Sequence, residues 1–424
     1  MAKEFSKKGK LASLGPLLFI VFLDMLGLSL VLPLVPALFA DNPLSILPIG
    51  TPLAQRNILQ GLLVSVYAIA SFFGAPLLGG LSDIHGRKKL LLVSIAGTMI
   101  AWLIFGLGVI WHDVWLLFLG RIIDGLTAGN IAVAQSAISD LSRPEDKAKN
   151  FGLISMLFGL GYILGPYIGG KLSDPTIMPW FDTALPIWFA ASLSALNLLL
   201  IWRFFSETLK EPKPSARTDL LYGVKNIRKA MKMENLRTMF VVMFLLVFGF
   251  NFYTQFFSVF LIEKFHFNPS HIGDYFAYLG IWIALTQGLF TRVVAKFSPP
   301  QKTILFTGIA LAFAIPVLSF APDEAALFLI IPFVPIFWGL TQPNMLSLIS
   351  NMARKDEQGE VLGITQSFVS LAQAIPPLVW GVVATVDINL PLLIAGVTVF
   401  AAWILYLSVY RNKHGVFKAE QLAN

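Results

Sequence analysis

The sequence predicts an all-α membrane protein: twelve spanning helices arranged as two related six-helix bundles. Composition, run length and the placement of basic residues each point there. Hydrophobic residues make up 56% of the 424 and charged residues only 13%, with a mean hydropathy of +0.74. A soluble domain carries about 25% charged residues, so a water-facing surface does not account for this chain. The 36 Phe and 10 Trp suit a lipid-facing exterior with aromatics at its interfaces.

A helix needs about 20 apolar residues to cross the hydrocarbon core. Runs of that kind fall near 14–40, 58–80, 89–111, 114–139, 150–172 and 184–205, and, past a polar stretch, near 238–262, 272–296, 303–320, 325–350, 360–385 and 390–410. They are read as helices because lipid offers no partner to an unpaired backbone group and barrel-type alternation is absent. Lys7, Lys8 and Lys10 ahead of the first run imitate a secretory signal, whose apolar core spans about 7–15 residues. This run continues to about Ala40 without a small-residue cleavage site, so it reads as the first spanning helix.

Basic residues fall in alternate loops. Arg87, Lys88 and Lys89, then Arg143, Lys147 and Lys149, then the 206–237 linker, then Arg292, Lys296 and Lys302, then Arg354 and Lys355 share one side. The other side holds Arg56, Lys171 and Lys264. Basic loops stay in the cytoplasm, which predicts cytoplasmic termini and a cytoplasmic linker between bundles 1–205 and 238–424. The formal charge of +7 is then mostly topology, and no nucleic-acid partner is expected. Within the linker, which contains Pro212 and Pro214, residues 218–233 suit either an amphipathic helix on the membrane face or a solvated tether.

The chain has no Cys, which excludes disulfides, thiolate metal sites and a cysteine nucleophile. Its five His and its acidic residues show no metal or nucleophile spacing, and a Gly-rich phosphate loop is missing. No enzyme, metal or cofactor is expected.

The two halves echo each other at an offset of 211 positions: Arg143 with Arg354, Phe151-Gly152 with Leu362-Gly363, Pro166 with Pro377 and Gly170 with Gly381. Two related six-helix halves imply a pseudo-two-fold axis along the membrane normal and a solute site between them. Alternating access needs such a repeat, so transport of a small solute is the expected function.

Four motifs refine this. Between the second and third helices runs Gly79-Gly80-Leu81-Ser82-Asp83-Ile84-His85-Gly86-Arg87-Lys88-Lys89. Gly79 allows close packing, Gly86 permits the turn, and Asp83 can pair with a cation or a helix N-terminus. This loop resembles the G-x-L-x-D-x-x-G-R-K signature of the major facilitator superfamily, and the resemblance extends over nearly the whole chain, through Glu207-Thr208-Leu209 after the sixth helix. The fourth helix carries Arg121-Ile122-Ile123-Asp124-Gly125, similar to the family's R-x-x-x-G motif. A charge in a spanning segment marks a functional site by default; a structural ion pair between Arg121 and Asp124, one turn apart, is the alternative.

The fifth helix reads Gly161-Tyr162-Ile163-Leu164-Gly165-Pro166-Tyr167-Ile168-Gly169-Gly170. Small residues at this spacing let helices approach closely. The pattern is similar to the G-x-x-x-G-P-x-x-G-G signature of drug/proton antiporters; close packing without exchange is the alternative. The first helix, Leu23-Asp24-Met25-Leu26-Gly27, is similar to the opening of tetracycline-resistance-type exporters. Asp24 lies about ten residues into the membrane, roughly 15 Å deep at 1.5 Å per residue. Burial penalises the ionised carboxylate there and an approaching Arg121 would favour it, which suits a proton site; a fixed structural pair and direct contact with the solute are the alternatives. The likeness stops short of tetracycline: the third helix lacks the exporters' Asp, and Ile283 stands where they carry a His ahead of Gln287.

Together these resemblances imply a proton-coupled antiporter in a bacterial inner membrane, monomeric, exporting small amphipathic or drug-like compounds with the proton gradient as its energy source. Proton-coupled uptake of a nutrient, metabolite or metal chelate by the same fold is the alternative. Asp24, Arg121 and Asp124 would couple the proton. Asp83, Arg87 and Asp140, with Gly79, Gly86 and Lys88, would form a cytoplasmic latch, and Gly161, Gly165, Pro166, Gly169 and Gly170 would shape the gate. Tyr67, Asn130, Gln135, Asn251, Gln255, Trp282, Gln287, Trp338, Gln342, Asn344 and Gln366 are candidates to line the solute path, each equally suited to an interhelical bond.

Overall fold

The computed structural model describes residues 7–41, 45–142, 147–209, 222–233, 236–353 and 358–412. Arg143, Pro212, Pro214, Arg354 and Lys355 lie outside them. Among the described residues the regular structure is all helix, with no strand. The first five spanning helices are α1 (Lys7–Leu30, extended by Leu34–Phe39), α2 (Leu53–His85), α3 (Arg87–Trp111), α4 (Val114–Thr127 and Asn130–Leu141) and α5 (Lys147–Leu172). They are followed by α6 (Leu185–Phe204), the linker helix Tyr222–Ala230, α7 (Arg237–Phe265) and α8 (Pro269–Leu285, continued by Thr291–Phe297). The last four are α9 (Pro300–Val317), α10 (Glu324–Ile330 and Phe333–Met352), α11 (Gln358–Ala374 and Pro376–Val383) and α12 (Leu390–Asn412). Eleven of these segments are apolar and long enough to cross a membrane by that measure alone; α5, with 26 residues, is the remaining one. The protein is a multi-pass membrane protein.

The run lengths were legible in the sequence, but the breaks inside the runs were not. Pro166 is carried within an unbroken α5, whereas its counterpart Pro377, next to Pro376, starts a new helix after Ile375. One proline removes one backbone donor and two in a row remove two, so the hydrogen-bond ladder is interrupted there although Ile375 itself keeps helical angles, φ −81° and ψ −42°. α8 relaxes into a π-turn over Thr286–Phe290, where the Thr291 hydroxyl donates to the Thr286 carbonyl at 2.9 Å.

The chain forms two compact units. One comprises Met1–Tyr222 with His266–Gly280, the other Gly223–Phe265 with Ile281–Asn424. In the first, Trp102 and Phe105 of α3 pack with Leu30, Leu34, Phe39 and Ile187. Its outer aromatics Trp111, Trp115 and Trp202 are exposed, as expected of side chains at the two lipid–water boundaries. Arg56, counted above among loop cations, is instead 2% exposed. It donates to the carbonyls of Phe39, Ala40, Pro48 and Thr51 and pairs with Asp41 at 2.7 Å, tying down the loop after α1.

In the second unit Phe240, Phe244, Phe248, Phe252, Phe256 and Phe260 recur every four residues along α7, so neighbours in the series lie side by side while the stripe winds slowly around the helix. Phe240 stacks on Phe368 of α11 at 5.6 Å and Phe256 meets Trp380 at 5.5 Å. The linker helix is seated by Asn226, which donates to Ser367 at 3.2 Å, and by the fully buried Ala230.

Candidate functional site

Four helices of the first unit gather the charges buried in the membrane. α1 contributes Asp24, α2 Tyr67, α3 Thr98 and Trp102, and α4 Arg121, Asp124 and Asn130. Glycines let α2 and α4 meet backbone to backbone: a Cβ on Gly125 would come within 2.5 Å of the Tyr67 carbonyl, and one on Gly74 would collide with Leu126. Arg121 Nη1 lies 3.5 Å from Asp124 Oδ2, with both side chains largely withdrawn from solvent. The pair is electrostatic, since neither Asp124 Oδ2 nor Arg121 Nε has a hydrogen-bond partner among the described residues. The guanidinium lies 4.6 Å from the Tyr67 ring centre and 6.0 Å from that of Trp102, and Thr98 hydrogen-bonds Asp124.

Asp24 is held differently. Its Oδ2 accepts from Asn130 Nδ2 at 2.7 Å, and it is near enough to Asp124 for the two carboxylates to interact. Arg121 does not make the approach to Asp24 anticipated from the sequence; among the described residues its carboxylate partner is Asp124, one turn away on the same helix.

α5 is the wall behind this cluster. Gly161 lies against Met25 and Leu26 of α1, and a Cβ on Gly165 or Gly169 would collide with Ser29 or with the Leu30 carbonyl. Ser29 donates to the Gly161 carbonyl at 2.8 Å, a direct bond between the helices. Gly170 turns the other way, toward the first part of α8, where a Cβ would come 2.5 Å from the Pro269 carbonyl. From α8, Gly273 faces the Pro166 carbonyl, at 2.7 Å from its built Cβ. Lys171 seals that contact, bonding Asp274 at 2.8 Å and Ser270 at 3.0 Å.

At the opposite end of the first unit, Arg87 is the centre of a second charged cluster and only 4% exposed. Its guanidinium pairs with Asp83, donates to Ser82, and reaches Asp140 Oδ2 through Nε at 3.1 Å. Glu207 caps the start of α3, accepting from the backbone N–H of Arg87 at 2.9 Å and of Lys88 at 3.0 Å. Gly86 has φ +99°, and a Cβ there would strike the Glu207 carboxylate. Gly79 has open surroundings by comparison, its nearest neighbour being the Ala132 methyl at 4.0 Å. Lys88 Nζ donates to the Trp202 carbonyl at 3.0 Å.

The candidate lining residues divide. Tyr67 and Asn130 join the buried cluster, and Gln135 is exposed on α4. In the second unit, Asn251 and Gln255 bond each other at 3.4 Å and Trp338 stacks on Phe250 at 3.9 Å, nearly parallel. Asn344 is turned onto its own helix, donating to the Leu340 carbonyl at 2.7 Å. Gln287 is exposed in the π-turn, with the Trp282 carbonyl accepting from Thr286 at 2.7 Å. Gln342 is half-buried and Gln366 exposed.

The description of the Major Facilitator Superfamily matches residues 17–377. The chain belongs to that superfamily. The tetracycline resistance protein, class C, of Escherichia coli is 30% identical over 359 residues, covering 85% of this chain and 86% of its own. The quinolone resistance protein NorA of Staphylococcus aureus is 26% identical, covering 96% and 98%. Among solved structures, the D-xylose–proton symporter superposes with a TM-score of 0.74 over 94% of this chain and 97% of its own, at 15% identity, which shows the fold alone. The chain is a transporter of small molecules and not an enzyme.

Two groups of this superfamily member act through partners that residue spacing does not announce. Glu207, just beyond α6, reaches back to the start of α3. Lys171, a cation at the end of α5, meets Asp274 across 103 residues.

Proposed function

We propose that this transporter is a proton-coupled antiporter that exports small amphipathic or drug-like compounds by alternating access. The carrying observation is the division of labour between two carboxylates. Asp124 has Arg121 and Thr98 as partners, whereas Asp24 has one amide donor and no cation within ion-pair distance among the described residues. The exchangeable proton is therefore assigned to Asp24, with Asp124 as the counter-ion that holds Arg121. Drug-resistance relatives at 26–30% identity support export, and the glycine face of α5 against the Asp24 helix supports exchange. The setting is a bacterial inner membrane, with the termini and the Arg87 cluster in the cytoplasm and the proton gradient supplying energy to a monomer without a cofactor.

The test uses everted vesicles. Drug accumulation driven by an acid interior is expected for the parent protein. Asp24→Asn is expected to abolish that accumulation while retaining counterflow of unlabelled for labelled drug. Full proton-driven transport by Asp24→Asn would remove the assignment, and solute movement in the opposite direction would favour proton-coupled uptake instead.

A further inference from the structure

α4 is two rods joined at a break, and the second rod touches both charged clusters. Asn130–Leu141 carries Asn130 at its first position and Asp140 near its end, about 15 Å apart at 1.5 Å per residue. The break has a visible cause. Ala128 leaves the helical region with ψ 33°, Gly129 N–H bonds back to Thr127 at 2.7 Å, and the Ser94 hydroxyl claims the Thr127 carbonyl. Gly129 sits against Leu78, where a Cβ would collide. Asn130 then has two tasks: its Oδ1 accepts from the Ile131 N–H at 2.9 Å and its Nδ2 donates to Asp24. At the far end Asp140 accepts from Arg87.

We propose that Asn130 is a positioning residue that passes the charge state of Asp24 to the Arg87 cluster, with the rod Asn130–Leu141 as the lever. The inference rests on the reading of Asp24 as the proton site. A hydrogen bond to an ionised carboxylate is roughly twice as strong as one to a neutral group, so a proton on Asp24 loosens the amide's hold. The rod can then respond as a unit, because the break at 128–129 frees it from the segment bearing Arg121. Its buried face, Val133, Ala134, Ala137 and Ile138, is apolar and packs with Leu17, Ile20, Leu78 and Leu91, so sliding breaks no polar contact there. The titratable groups around Asp24 are Asp124 of α4 and Tyr67 of α2, with Arg121 of α4 beside those two, none of them on the rod. α5 meets α1 there through glycines, and α6 through Asn197, which donates to the Ile20 carbonyl at 3.1 Å.

The absence of native cysteine allows clean labelling. Spin labels at Lys89→Cys on α3 and Ser139→Cys on the rod report the distance between them, recorded on the full-length protein in lipid nanodiscs from acid to alkaline pH. The parent is expected to exchange two distance populations with pH, and Asp24→Asn to hold one population throughout. Asn130→Ala is expected to shrink the response by about fivefold, the lower end of ordinary coupling between sites. Asn130→Leu, isosteric and without a donor, carries the same test if Asn130→Ala does not fold. An undiminished response in the Asn130 variant, or no response in the parent, overturns the lever. A response that survives in Asp24→Asn overturns the proton assignment beneath it, so the two failures are told apart.

Discussion

Glu207 shows how one side chain can hold a loop in place. Burial disfavours its charge, but the backbone N–H groups of Leu209, Arg87, Lys88 and Thr208 outweigh that, and the carboxyl sits below the usual glutamate value. Its folded value is lower than its unfolded one of about 4.3, so the stabilisation is complete above that pH and fades as pH falls through the folded value. Melting of the purified protein should therefore show no Glu207-dependent loss between neutral pH and about 5, and a loss only in stronger acid. Glu207→Ala should lower stability by about 1 kcal/mol, the usual worth of a helix cap. A variant with unchanged melting at neutral pH would show that the cap contributes nothing. The residue types at both charged clusters could be picked from the sequence, because a charge in a spanning segment or a conspicuous loop motif announces itself. Asp140 could be set with Arg87 through the family resemblance, but other partners could not: Asp24 and Asn130 are 106 positions apart, and Arg87 and Glu207 are 120 apart.

At the scale of elements, α5 carries an internal control. Gly159 has nothing within 4 Å of a built Cβ, whereas Gly165 and Gly169 face the α1 backbone with no room for one. Gly159→Ala should be neutral, or stabilising by up to about 1 kcal/mol from helix propensity. Gly169→Ala should cost about 1–3 kcal/mol by overpacking, with a matching fall in transport. Equal melting temperatures for the two variants would contradict the close α1–α5 contact. The Lys171–Asp274 pair at the end of α5 offers a second test. Lys171→Glu sets two carboxylates together and should lower the melting temperature, and adding Asp274→Lys should restore it. A double variant no better than the single one would mean that the pair does not hold α8 to α5. The glycine spacing of α5 was legible as a packing face, but which neighbour each glycine meets depends on helix rotation, and spacing is silent on that.

For the whole molecule, topology is the property most directly open to measurement. Fluorescent-protein fusions at either terminus should glow, since cytoplasmic folding permits it, and alkaline phosphatase fused to the Arg56 loop should be active. An active phosphatase at the C-terminus would overturn the assigned orientation. Hydrophobic run length, the sidedness of Lys and Arg and the signature loop were enough to read the helix number, the membrane class and the superfamily, because lipid forces each span to satisfy its own backbone and so to declare itself locally. The same local logic explains what stayed hidden. The break at Ala128–Gly129 has an outside partner, the Ser94 hydroxyl that claims the Thr127 carbonyl. The division of Asp24 from Asp124 depends on which helix faces which. A run of apolar residues specifies that a helix exists and crosses; only packing against its neighbours decides its rotation. Spacing alone sets Arg121 beside Asp124 on one helix, whereas packing between α1 and α4 is what gave Asp24 to Asn130.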